Sequence, residues 1–150
     1  MKNLFQLNYA GEMVDRVNKL TPESKPLWGT MNVAQMLAHC NVTYDMIYTD
    51  KYPPAKGLKR FFLKLMVKPI VVGDKPYKHN SPTAPAFKIV DQRQFEVEKQ
   101  KLITHITQTQ RLGEVYFEGR ESNSFGPLTA KEWNVMCYKH LDHHLNQFGC

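Results

Sequence analysis

Residues 129–148 read TAKEWNVMCYKHLDHHLNQF, and the spacing of their apolar side chains decides the fold class. At about 100° per residue, Trp133, Cys137, Leu141 and Phe148 fall on one side of a helix, with Met136 and Leu145 at its margins. Thr129, followed three residues later by Glu132, forms a capping box that starts this helix. Gly149 stands where a C-terminal cap belongs. Two histidines interrupt the apolar stripe near its middle. His140 and His144 lie about 40° apart and one turn from each other, so both point toward the core. His143 falls at the edge of the stripe, and Asp142 and Asn146 face water.

Working outward, NVAQMLAHCNVTYDMIYT (32–49) is a second strong helix. Asn32 is its N-cap, and Gln35 completes a capping box. Val33, Met36, Leu37, Cys40, Tyr44, Ile47 and Tyr48 share one face, and His39 sits on its flank near Met36, Thr43 and Met46. Asn8 to Lys19 reads as a shorter helix with Met13, Val14 and Val17 inward. Pro22, Pro26 and Gly29 then make LTPESKPLWGT (20–30) a loop, in which Trp28 is read as a packed anchor.

GLKRFFLKLMV (57–67) reads as a short basic amphipathic helix. An irregular stretch from Pro69 to Val90 follows, punctuated by Pro76, Pro82 and Pro85. Loops of that length inside compact domains are often functional, and this one is expected to cross the molecule and cover a site. The next main helix is read in DQRQFEVEKQKLITHITQTQRLG (91–113), with Asp91 as cap, Gly113 as terminator and His105 at the edge of a thin apolar face. No strand pattern is stronger than the short VYFEG and FKIV runs, so the chain reads as all-α in one domain, residues 1–150.

Composition narrows the classes. A chain of 150 residues with 42% hydrophobic and 23% charged residues has room for a real core and is not of disordered type. No apolar run reaches the roughly 18 residues of a membrane span, and the N-terminal residues lack a signal-peptide pattern, so a soluble, cytoplasmic protein is expected. Three scattered cysteines, Cys40, Cys137 and Cys150, make neither a disulfide framework nor a cysteine-based zinc site. The net charge of +6 is uneven: Lys51 to Lys78 holds eight basic residues against Asp74 alone, a local +7, which leaves −1 elsewhere. Such a patch is ordinarily a solvated face, but it can also attract nucleic acid, an anionic membrane or an acidic ligand.

Two imidazoles at i and i+4 on one helix face can bind one ion at about 2.0–2.1 Å each. Unsatisfied, two imidazoles in mid-stripe would be costly. A third ligand must come from another helix, and His39 is the best placed, being on the other well-formed amphipathic helix. Three neutral imidazoles leave coordination positions free, as catalytic rather than structural sites do. No Gly-rich phosphate loop, nucleophile elbow or His-Glu-x-x-His pattern offers different chemistry.

LTPESKPLWGTMNVAQMLAHC (20–40) and FGPLTAKEWNVMCYKHLDHHLNQFG (125–149) together resemble a branch of the DinB/YfiT-like metalloenzymes, domain of unknown function family 1569, and the similarity runs along nearly the whole chain. The resemblance implies a four-helix bundle with a long loop or crossover connection between the second and third main helices. It also implies a three-histidine site, one histidine from the second helix and two from the last, here His39, His140 and His144. Gln147 matches the polar residue of the superfamily pattern His-x-x-x-His-x-x-Gln. Characterised members of the superfamily include metal-dependent thiol transferases and a thiol-using isomerase, with zinc and nickel the metals most often implied. The leading expectation is a divalent-metal-dependent enzyme acting on a small-molecule substrate by hydrolysis or thiol transfer, with Tyr44 and Gln147 in second rank for orientation or proton transfer. A homodimer suits the architecture; no nucleic-acid or membrane partner is clear. The alternative is a non-catalytic helical protein whose basic 51–78 segment docks an anionic partner while the histidines pack.

Overall fold

The computed structural model describes residues 2–150, and they are mostly helical. The order is α1 (Leu7–Asn18), α2 (Val33–Tyr48), α3 (Gly57–Phe62), a π turn (Leu63–Val67), α4 (Lys68–Val72), a 3-10 turn (Pro85–Phe87), α5 (Phe95–Phe117) and α6 (Ala130–Gln147). Two two-residue strands, β1 (Glu121–Ser122) and β2 (Gly126–Pro127), pair antiparallel between α5 and α6. They lie outside both runs noted as strand-like in the sequence.

Both capping boxes form. The Asn32 side chain accepts from the Gln35 amide at 2.9 Å, and the Gln35 side chain accepts from the Asn32 amide at 3.1 Å. Thr129 and Glu132 make the same reciprocal pair at 3.2 and 3.0 Å. These caps fix where α2 and α6 begin, and hence the height of their histidines along each axis. The two helices lie against one another, both pack on α5, and α1 closes against α5 and α6. Met13, Met36, Leu37, Leu102, Ile106 and Trp133 are among the fully buried side chains. Arg16 of α1 ties the far end of α6, donating to Asp142 at 2.7 Å and to Asn146 and the Cys150 carbonyl at 2.9 Å. Cys40 and Cys137 are buried and unpaired, and Cys150 is half-buried against the core.

Three boundaries differ from the sequence reading. Asp91 does not cap α5: Gln94 occupies that position without a side-chain bond, and Asp91 pairs with Arg93 at 3.0 Å. Gly113 interrupts α5 rather than ending it. Its left-handed backbone (φ 69°) redirects the chain into a further turn that buries Phe117 against Phe5 and Trp133, at 5.1 and 5.6 Å between ring centres. The basic helix also runs past Pro69 as far as Val72. Proline inside a helix normally collides with the carbonyl four residues back. Here the preceding turn is wide, with the Lys68 amide bonded to the Leu63 carbonyl five residues away, and Pro69 enters at the start of α4. The irregular stretch therefore begins at Gly73.

Lys139 secures that stretch to α6. Its buried ammonium donates to the carbonyls of Ile70 (2.7 Å), Gly73 and Lys75 (3.3 Å) and lies 4.7 Å from the centre of the Tyr77 ring. The chain then crosses toward α2, where the 3-10 turn packs.

Candidate metal centre

His39 projects from α2, and His140 and His144 project from successive turns of α6. Their ring centres form a nearly equilateral triangle of 4.5, 4.8 and 4.9 Å, and one nitrogen from each ring lies within 4.8 Å of the other two. His39 and His144 are buried; His140 is half-buried.

The Nδ1 of each ring is engaged. His39 Nδ1 donates to the Phe87 carbonyl at 2.8 Å. His144 Nδ1 donates at 2.8 Å to Gln147 Oε1, whose amide nitrogen donates to the Trp28 carbonyl at 2.7 Å. His140 Nδ1 meets the Thr43 hydroxyl at 3.0 Å. A carbonyl can only accept, so both His39 and His144 carry their proton on Nδ1 when neutral and turn a lone pair outward from Nε2. The Thr43 hydroxyl can donate or accept, so His140 is free to choose its tautomer. His140 Nε2 lies 2.9 Å from His39 Nε2 and serves as donor to that lone pair in the ion-free protein.

Burial keeps the three rings neutral. Desolvation lowers the pKa of His39, takes His140 well below its ordinary value and brings His144 down to about 3, with the neighbouring imidazoles adding to the shift for His140 and His144. Neutral imidazoles with fixed outer hydrogen bonds and converging lone pairs are what a divalent ion needs. The donor set therefore fits a metal, and with three protein donors it leaves coordination positions for other ligands.

A family of proteins described as "Protein of unknown function (DUF1569)" matches residues 1–149. The chain belongs to that family. No curated protein and no solved structure matches it. DUF1569 membership names no activity and no tie to the DinB/YfiT superfamily.

Several residues of this DUF1569 chain stand around the cluster. Phe87 of the long connection lies 5.3 Å from His39 and 5.9 Å from His140, on one side of the cluster. His143 is half-buried at the rim, with Tyr77, Trp28 and His79 at 5.6, 5.8 and 6.0 Å. Trp28 stacks on His79 at 3.8 Å, a pairing between two irregular segments that no sequence periodicity signals. Gln147 supports His144, but Tyr44 lies in the core, its ring 5.3 Å from His105. The Tyr44 hydroxyl is buried with no hydrogen-bond partner among the described residues, and burial pushes its pKa well up. His105, read as an edge residue, is buried and donates to Asn41 at 3.2 Å beside the Asp45–Lys101 ion pair. The surface depression lined by Gln100, Lys101 and His105 belongs to that region and not to the three histidines.

Proposed function

We propose that this protein is a divalent-metal-dependent enzyme of DinB/YfiT type, a four-helix bundle that holds zinc or nickel through His39, His140 and His144. The observation that carries the reading is the common arrangement of the rings: one nitrogen from each lies within 4.8 Å of the other two, His39 and His140 approach through Nε2, and all three Nδ1 atoms are held, by Phe87, Thr43 and Gln147. When bound, such an ion supplies Lewis-acid polarisation of a substrate and a nucleophile at neutral pH. The chain supplies the remainder. Gln147 and the Phe87 carbonyl orient His144 and His39, and Thr43 turns its hydroxyl from donor to acceptor as His140 frees its Nε2 lone pair. Phe87 and Tyr77 limit water around the cluster. The substrate class is a small molecule, and the reaction class is hydrolysis or thiol transfer. A homodimer is part of this reading.

Elemental analysis of protein purified without a histidine tag is the test. About one equivalent of zinc or nickel is expected in the wild type after reconstitution, and background levels are expected in His140→Ala with His144→Ala. Background metal in the reconstituted wild type would remove the reading. The competing view, a binding protein whose histidines only pack, requires that background and draws on the exposure of Lys56, Lys59 and Lys64.

A further inference from the structure

The connection between α2 and α5 carries a surface that the histidines do not use. From α3 through the π turn to α4, Leu63, Val67, Val71 and Val72 turn inward and pack against the core. The opposite side faces out. Leu58, Phe61, Phe62, Leu65, Met66 and Ile70 are 71, 59, 50, 64, 65 and 62% exposed. Steps of three and four residues put these side chains on one face. A single exposed leucine is ordinary. Six large apolar residues side by side form a continuous patch that calls for a partner.

The charges on this segment indicate the partner. Lys56, Lys59 and Lys64 are exposed and stand outside every ion pair among the described residues, whereas Arg60 and Lys68 are neutralised by Glu121 and Glu132. No acidic residue lies between Lys51 and Asp74. An apolar ridge bordered by unpaired lysines complements an apolar layer beneath a negative one, which is the profile of an anionic bilayer surface. A second copy of the same face would bring lysines against lysines.

We propose that residues 56–72 dock this protein on anionic phospholipid bilayers. Leu58, Phe61, Leu65 and their neighbours enter the boundary between headgroups and acyl chains, and Lys56, Lys59 and Lys64 meet the lipid phosphates. The attachment is peripheral: no described helix is long and apolar enough to cross a membrane. It is independent of whether the histidines hold a metal.

The test is cosedimentation of the full chain with phosphatidylcholine vesicles and with vesicles that also contain phosphatidylserine, at low and high salt. Binding to the anionic vesicles that weakens as salt rises is expected. Phe61→Ser with Leu65→Ser should lower partitioning by at least about tenfold. Lys59→Glu with Lys64→Glu should lower it by roughly tenfold or more. Both pairs are exposed, so an unchanged circular dichroism spectrum is expected to accompany the loss. Three results overturn the proposal: wild type that stays in solution with both vesicle types, wild type that binds neutral vesicles equally well, or folded variants that bind as wild type does. Self-association abolished by Phe61→Ser with Leu65→Ser, without vesicle binding, would assign the patch to a second copy instead.

Discussion

A β-carbon placed on Gly29 would lie 2.6 Å from the side-chain nitrogen of Gln147. The glycine that follows Trp28 is thus part of the histidine cluster's support: it lets the loop come close enough for Gln147 to bond the Trp28 carbonyl and, through its other end, His144. Its left-handed φ of 81° disfavours a side chain independently of the space. Gly29→Ala should therefore destabilise the fold by about 1–3 kcal/mol, read by urea unfolding. Zinc affinity, measured against a competing chelator, should fall with it.

Thr43 offers a cleaner separation of support from packing. Thr43→Val keeps the shape but removes the hydroxyl that bonds His140 Nδ1. The expected result is a loss of zinc affinity of roughly 10–100-fold, the usual range for an outer partner of a liganding histidine. Thr43→Ser retains the oxygen and should restore most of it. Equal affinity in all three proteins would show that Thr43 has no part in orienting His140.

Acid should destabilise the metal-free protein. His144 is lowered to about 3, and burial holds His39 and His140 below their ordinary 6.5 as well. As pH falls through 6.5, the unfolded chain takes up protons that the folded chain refuses, so folding stability declines until the folded rings also titrate. Each such group costs about 1.4 kcal/mol per pH unit inside that window. Urea unfolding between pH 7 and pH 4 should show a total loss of several kcal/mol, and His144→Gln should flatten the slope. A flat profile in wild type would mean the rings are not held neutral by burial.

Lys139→Ala removes the donor to three carbonyls of the connection. Hydrogen bonds from a charged group contribute about 1.5–3 kcal/mol each when buried. Limited proteolysis should then cut between Gly73 and Asn80, at a position resistant in wild type, while α2 and α6 stay intact. Unaltered cleavage would show that the connection is held by its apolar contacts alone.

Much of this molecule is legible in the sequence because the decisive signals are local. Two capping boxes mark the starts of α2 and α6, and helical spacing places His140 beside His144 and His39 on a facing helix. What escaped reading depends on tertiary approach. The Phe87 carbonyl that fixes His39 is a backbone group 48 residues away and has no side-chain signature. Thr43 neighbours His39 on its own helix by sequence, yet it bonds His140 across the interface. Trp28 and His79 stack because two irregular segments meet, and no periodicity announces that. The helix past Pro69 depends on the compensating wide turn, a backbone geometry that residue types do not encode. Gly113 marks a break by residue type, but the turn beyond it is set by the burial of Phe117 in the core.

Of the three carbonyls gathered by Lys139, that of Ile70 lies at the end of the exposed apolar helix, and those of Gly73 and Lys75 follow it on the way to Phe87. Force applied to that helix is transmitted along the connection first to residues 70–75 and into α6, and only afterwards to the turn that holds His39. Lys139 therefore acts as a mechanical ground. Whatever the apolar helix adheres to, a pull on it meets α6 at Lys139, one residue from His140, before it reaches the turn that holds His39.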